Sequence, residues 1–393
     1  MKTVGIVAEY NPFHAGHRKQ FDRIRAEFGR ETAIVCAMSG NFVQRGAPAV
    51  LDKTHRAKAA VACGADLVVE LPTTVSLSSA EGFAAGGVGI LSKLCDTLCF
   101  GAETGETVSL METARALLSE DFSPLLRREL DGGKSFPAAR QGVLEAMGLS
   151  GSLLESPNNT LAVEYLRALR RTGASMTPAT LLRTGAAHDG APEGGTASAS
   201  YLRQLLRQGQ GEAACGFTPP EAADILRREL SRGRVTDNAL CERAVLSRLR
   251  VMTEEDWRGY DPGGEGLYHR LYQAARSACT VDGLLSAAKT KRYPLARLRR
   301  MALAAYLQLP PPPAQVPYIR VLAATAAGRA HLRRLRDAGA PVLTKPADVS
   351  SLGADAAALF ALEGRCTDLY VLARPDLTQS APGQDYRTTP VMV

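Results

Sequence analysis

The sequence predicts an α/β protein: a parallel β-sheet covered by helices on both faces, followed by a mainly α-helical second half. Three observations carry that prediction. Short segments rich in Val, Ile, Leu and Ala recur at 4–9, 33–38, 66–71 and 97–102. Each pair is separated by a stretch long enough for a helix, the alternation of a parallel sheet with crossover helices. From about residue 219 onward, helix-like segments follow one another. A chain of 393 residues is long enough for two domains, expected at 1–215 and 216–393 with Pro219-Pro220 near the boundary.

The elements follow in order. VGIVAE (4–9) reads as a first buried strand, and a polar loop leads into a helix reaching about residue 28. AIVCAM (33–38) is the second strand, followed by a loop punctuated by Gly and Pro and a helix over about 52–63. DLVVEL (66–71) is the third, with a helix near 80–93, and TLCFGA (97–102) is the fourth. Residues 106–175 read as mostly helical, broken at Gly132-Gly133 and Pro157, and TPATLLR (177–183) reads as a fifth strand. A Gly-rich loop then opens a helix at about Ser198. Pro310 to Pro313 is a stiff linker, and 316–322 and 341–344 are candidate short strands within the helical half.

Composition excludes several classes. Hydrophobic residues make up 45% and charged residues 22%, which suits a folded core and not a disordered chain. No run approaches the length of a membrane span, and the N-terminus enters a strand too early for a signal peptide. The eight cysteines form no CxxC pair and read as small buried hydrophobes, so the chain is expected in the reducing cytoplasm. Gly132-Gly133-Lys134-Ser135 lacks the leading glycine of a Walker loop, and Gly86-Gly87-Val88-Gly89 lacks dinucleotide spacing.

The segment Tyr10-Asn11-Pro12-Phe13-His14-Ala15-Gly16-His17 lies where the first strand hands over to the first helix. Parallel sheets bind ligands at this edge. His14 and His17, three apart, place two imidazoles on one face beside a helix N-terminus, whose field favours anions. Gly16 lets a ligand approach the backbone. Such donors suit an α-phosphate on which charge develops as pyrophosphate leaves. Ser39, Asn41, Gln44 and Arg45 follow the second strand at the same edge, and Arg45 suits a triphosphate or a small acid. Lys53, His55, Arg56 and Lys58 could add charge there. Gly101 follows the fourth strand, Asn158 and Asn159 follow Pro157, and Arg183 ends the fifth strand. Ser198, Ser200 and Arg203 open a helix, a second candidate anion site.

His14-Ala15-Gly16-His17 resembles the HIGH motif of the nucleotidyltransferase superfamily, whose sheet is Rossmann-like. The longer stretches GIVAEYNPFHAGH, Met38 to Gly46, Gly64 to Pro72, Cys99 to Glu103, Pro157-Asn158-Asn159, Lys289 to Tyr293 and Tyr318 to Leu322 resemble one family, the bacterial tRNA(Met) cytidine acetate ligases. Ser198 to Arg203 resembles the second superfamily motif, with Ala197 and Ser200 departing from its usual residues. The resemblance implies activation of acetate by ATP as acetyl-adenylate, with release of pyrophosphate. The acetyl group then passes to the wobble cytidine of elongator tRNA(Met). It implies catalytic roles for His14 and His17. It implies a nucleotide site running through Val7, Ala8, Glu9, Tyr10, Asn11, Pro12, Phe13, His14, Ala15, Gly16, His17, Arg18, Lys19 and Gln20. Ser39, Arg45, Gly101, Asn158, Asn159, Arg183, Ser198, Ser200 and Arg203 complete it. Mg²⁺ is expected with the ATP, its protein ligands left open.

The net charge of +7 is unevenly placed. Residues 1–210 are nearly balanced, whereas 289–336 carry eleven Lys or Arg and no acid. Such a window calls for an anionic partner. Lys289, Lys291, Arg292, Arg297, Arg299, Arg300, Arg333 and Arg334 are the expected tRNA contacts, with Tyr293 stacking on an unpaired base. Two other readings remain at this point: a nucleotidyltransferase adenylating a small phosphorylated metabolite, and a non-catalytic RNA-binding protein on a nucleotide-binding fold.

Overall fold

A computed structural model describes residues 2–104, 106–182, 195–261, 264 and 266–393. Its strands and helices begin with β1 (Thr3–Ala8), α1 (Ala15–Phe28), β2 (Ala33–Ser39), β3 (Phe42–Val43), β4 (Ala47–Pro48) and α2 (Lys53–Ala62). Next come β5 (Leu67–Leu71), α3 (Thr73–Ser76), α4 (Ala80–Leu91), β6 (Thr97–Ala102), α5 (Thr107–Ala116), α6 (Phe122–Asp131), α7 (Phe136–Ala146), α8 (Pro157–Thr172) and β7 (Thr177–Leu182). The helices α9 (Ala199–Arg207), α10 (Gly211–Cys215), α11 (Pro220–Ser231), α12 (Glu242–Val251), α13 (Glu254–Arg258), α14 (Leu267–Ser277), α15 (Val281–Ala288) and α16 (Leu295–Leu307) follow. The chain ends with β8 (Ile319–Ala324), α17 (Ala326–Asp337), β9 (Val342–Leu343), α18 (Ala354–Tyr370), α19 (Gln384–Arg387) and β10 (Val391–Met392).

The main sheet runs β10-β8-β5-β2-β1-β6-β7. Strands β5, β2, β1, β6 and β7 are parallel. The chain builds outward from β1 through β2 to β5, then crosses back to β6 and β7 on the other side of β1. The reversal between β1 and β6 opens a crevice at the carboxyl edge, where α/β sheets bind ligands.

Period-two alternation explains the two-sided core. In β2, Ile34, Cys36 and Met38 face a cluster with Phe21 and Ile24 of α1 and Ala57 and Ala60 of α2. Val35 and Ala37 face the opposite cluster with Val88 of α4 and Val163 of α8. Gly87 allows α4 to close on β1, since a Cβ there would stand 2.6 Å from Val7 Cγ2.

The expected boundary at 215/216 does not divide this core. β8, from the helical half, pairs antiparallel with β5, and β10 pairs with β8. The apolar cluster on the α4 face also continues through Leu246, Trp257, Leu271 and Leu298 of the helical segments. The sequence reading placed 316–322 as a short strand but not in this sheet. The physical reason is that β5 would otherwise be an open edge of fully buried residues, which β8 covers.

Candidate active site at the carboxyl edge of the sheet

The loop from β1 to α1 turns sharply. Tyr10 adopts a left-handed backbone conformation with φ of 48°, and its ring is buried against Phe13, His17 and Phe21. His14 caps α1: the Gly16 N–H donates to His14 Nδ1 at 3.1 Å. The His14 N–H donates to His17 Nδ1 at 3.2 Å, and the two rings stack with centroids 3.7 Å apart. A nitrogen that accepts from an amide carries no proton. Each ring is therefore held with its proton on Nε2, and the pair acts as N–H donors.

The loop is fixed to its neighbours by buried groups. The Asn11 carboxamide accepts from the Val50 N–H at 2.8 Å. Arg203 on α9 donates to the Asn11 carbonyl at 2.8 Å and to Ser200 Oγ at 3.0 Å, while Ser198 caps α9 by accepting from the Tyr201 N–H. The two sequence-predicted anion motifs therefore meet at one loop, through a contact between residues 192 apart in the chain. Just beyond α10, the Phe217 carbonyl accepts from the Ala15 N–H at 3.0 Å, and Phe217 packs edge-on against Tyr201.

The second loop, after β2, lies alongside. Gln44 N–H donates to Glu9 Oε1 at 2.8 Å, and exposed Arg45 lies at the tip of the β3–β4 hairpin. Ser39 is fully buried, and among the described residues its hydroxyl has no hydrogen-bond partner. Beyond β6, Asn159 accepts from the N–H groups of Glu103 and Thr104, and Asn158 donates to Glu103. The cap of α8 is Ser156, which accepts from the Asn159 N–H. Gly101 lies within β6, in register with Leu181, and not after the strand. Arg18, Lys19 and Gln20 continue along α1, where Arg18 pairs with Asp22 and Glu221. Arg183 lies outside the described residues.

The cations at the start of α2 are structural. Arg56 is fully buried and donates to the carbonyls of Glu9, Gly40 and Leu51, joining three loops at this edge. Lys53 is buried between Glu70 and Asp385, each at 2.7 Å, and Arg320 of β8 reaches the same two carboxylates at 3.0 Å. Burial and Arg320 act against the Lys53 charge, but Asp385 and Glu70 outweigh them and raise its pKa. Glu363 of α18 stands beside this cluster, accepting from the N–H and hydroxyl of Thr73. Burial and the Glu70 charge push its carboxyl up to about 7. His55 is tied to Asp52 and Glu229. The sequence signal for these roles was available: polar Lys53 and Arg56 share the i, i+3 face of an Ala-rich helix with buried Ala57 and Ala60.

The basic window is less uniform than the sequence suggests. Lys289, Lys291, Arg292 and Arg299 are exposed, as are Arg333 and Arg334 on α17. Arg320 is inside the buried cluster, and Arg297 pairs with fully buried Asp261 at 3.4 Å. Tyr293 corrects an expectation: it is only 5% exposed and belongs to the core, with Arg292 and Arg297 over its ring. A buried ring has no open face for a base. Arg300 is also mostly withdrawn, donating to the Gln44 carbonyl at 3.4 Å, and burial lowers its pKa. The window is also split in space. The second turn of α16 rests on the hairpin at the carboxyl edge. On α17, His331 donates through Nε2 to the Leu94 carbonyl at 2.8 Å, near the amino edge where β6 begins.

Among the described residues, no three His, Cys, Asp or Glu side chains gather as a metal cage. A divalent ion arriving with a nucleotide would take most of its ligands from phosphate and water.

Comparison with known proteins adds to this geometry. The family described as HIGH Nucleotidyl Transferase matches residues 1–385. A tRNA(Met) cytidine acetate ligase of Acetivibrio thermocellus is 33% identical over 98% of this chain and 98% of its own. One from Kosmotoga olearia is 36% identical over 88% of this chain and 86% of its own. Crystal structures of Thermotoga maritima TmcAL superpose with TM-scores of 0.93 for the apo form and 0.91 for the form bound with alpha-thio ATP. They are 29% and 28% identical, and each covers all of both chains.

Proposed function

The chain belongs to the HIGH nucleotidyl transferases and, among them, to the tRNA(Met) cytidine acetate ligases, and from that membership we infer its reaction. It uses ATP to activate acetate and transfers the acetyl group to the wobble cytidine of elongator tRNA(Met), giving N4-acetylcytidine. The observation that carries this reading is the meeting of both anion motifs at the Asn11 carbonyl, with both histidines held as Nε2–H donors.

A carboxylate oxygen of acetate attacks the α-phosphate of ATP, and the bond to pyrophosphate breaks. His14 and His17 donate hydrogen bonds to the phosphate oxygens on which charge accumulates, without giving up a proton. Arg203, with Ser198 and Ser200, faces the β- and γ-phosphates, and Arg45 closes the other side. Glu9 to Phe13 line the adenosine side with Gly101 and the Asn159-braced loop. Mg²⁺, when bound with the nucleotide, would screen its phosphate charge. The product is a mixed anhydride, so the cytidine amine attacks the acetyl carbonyl directly and AMP leaves. Activation belongs to the part built on residues 1–215, and RNA binding mainly to 216–393, whose strands return to brace the sheet. The cytoplasm, where tRNA and ATP meet, is the compartment this activity requires. Among the described residues no helix is long and apolar enough to cross a membrane.

The test incubates the protein with ATP, labelled acetate and elongator tRNA(Met), followed by nucleoside digestion. Labelled N4-acetylcytidine is expected. Acetate-dependent pyrophosphate release with no label in tRNA would instead favour adenylation of a small metabolite. His17→Ala should lower acetyl-adenylate formation by 100-fold or more, roughly the loss of one transition-state donor.

A further inference from the structure

We propose that Arg300 is a positioning residue for acetate activation, not an RNA contact: it holds the β3–β4 hairpin against Glu9 and so sets the loop that carries His14 and His17. This rests on the reaction inferred above.

Arg299 and Arg300 are neighbours in sequence, and both count towards the acid-free window. The structure separates them. Arg299 is exposed, whereas Arg300 turns back from the second turn of α16 and donates through Nη1 to the Gln44 carbonyl. The adjacent amide, Gln44 N–H, donates to Glu9 Oε1 at 2.8 Å. Glu9 immediately precedes Tyr10, whose ring meets the His17 ring edge-on at 4.8 Å. A continuous line of contacts therefore runs from α16 through one hairpin residue to a catalytic imidazole.

The approach of helix to hairpin is close. Gly46 adopts φ of 75°, and a Cβ on it would stand 2.7 Å from both Arg299 Cβ and Arg300 N. The hairpin has two residues in each strand, so its own pairing is too short to fix its tip. Its first strand is anchored by buried Phe42, edge-on to Tyr370, and by buried Val43, while its tip meets Glu9 through Gln44 on one side and α16 on the other. A guanidinium on a backbone carbonyl, partly withdrawn from water, is a directional restraint of the kind that keeps a catalytic loop in register.

The test is acetate-dependent exchange of labelled pyrophosphate into ATP, measured without tRNA. Arg300→Met keeps the aliphatic stem and removes the donor. It should lower the exchange rate about tenfold, the loss of one charge-assisted hydrogen bond, and Arg300→Lys should recover most of it. Glu9→Gln weakens the other end of the same line. The double variant should lose less than the product of the two single losses, because both interrupt one restraint. Wild-type exchange in Arg300→Met together with weakened tRNA binding would overturn the proposal. If Arg300→Met fails to fold, Arg300→Gln, whose shorter side chain falls short of the Gln44 carbonyl, takes its place: multiplicative losses of Arg300→Gln and Glu9→Gln in the pair would equally overturn it. Absence of exchange in the wild type would instead sink the reaction itself, so the two failures are distinct.

Discussion

The carboxyl edge of the sheet and the surface of the helical half both abound in Arg and Lys, but the cations there are held differently. At the edge, Lys53, Arg56 and Arg203 are directed inward, onto carboxylates or backbone carbonyls of the loops they brace. On the helical half, Lys289, Lys291 and Arg299 project into solvent. The difference is one of burial and partner, not of residue type. A cation buried on fixed acceptors makes geometry, because removing it leaves those acceptors unsatisfied. A cation in water makes a field, which attracts a polyanion from a distance and is screened by salt. A local count of charge confuses the two. Arg320, Arg297 and Arg300 all lie in a window without acids, yet Glu70, Asp385, Asp261 and the Gln44 carbonyl reach them from elsewhere in the fold.

The largest effect expected from this contrast is at Lys53. Replacing it by Met leaves Glu70 and Asp385 with Arg320 as their remaining close cation, all of them buried. Breaking a buried ionic cluster by removing one partner costs about 3–5 kcal/mol. Thermal unfolding of Lys53→Met should show a loss in that range, whereas the Asn41 turn should hold, since its Oδ1 accepts from the backbone N–H of residue 53, which the substitution keeps. A loss below about 1 kcal/mol, the ordinary value of a surface pair, would mean that burial does not distinguish the two regions.

A smaller effect, and of another kind, is expected on the open surface. Arg299→Glu should weaken tRNA binding by about 1–2 kcal/mol and flatten its salt dependence, as loss of a phosphate contact does. Paired substitution of Arg333 and Arg334 sharpens the comparison further. Their helix packs against the loop before β6, away from the hairpin, so they should matter less than Arg299 for a nucleotide that must reach the histidines. Filter binding at several salt concentrations measures both. Equal losses would join the two parts of the window into one RNA surface.

How much of this was legible in the sequence follows the same division. Strands β1, β2, β5, β6 and β7 were legible because each is a short apolar run between helical stretches. The histidine loop was legible because spacing alone puts His14 and His17 on one turn. The covering of β5 by β8 was not, because the partner lies about 250 residues away and its pattern, IRVLAA, does not announce which edge it joins. Tyr293 was misread for a related reason. An aromatic among cations looks like a stacking platform, but Tyr293 is a buried member of the apolar cluster that also holds Leu298, Tyr306 and Trp257. Arg56 and Arg300 required knowing which carbonyls stand nearby, and backbone acceptors leave no mark in a sequence.

The smallest effect concerns a cation between the two extremes. His55 is about one quarter exposed, with Asp52 at 2.9 Å and Glu229 at 3.3 Å; Arg374 and Arg234 face the same two carboxylates. Burial alone would lower its pKa, but the hydrogen bond and charge of Asp52, with the charge of Glu229, raise it above 6.5. Folding therefore favours its protonated form. The resulting stability is fully present below about pH 6.5 and is lost as the pH rises through the folded value. His55→Gln keeps a polar side chain of similar reach that does not titrate. Between pH 6 and pH 8 the melting temperature of wild type should fall more than that of His55→Gln, while the titration of Glu363 contributes equally to both. A parallel decline in the two proteins would place His55 with the surface cations, whose partners are too well solvated to couple protonation to folding.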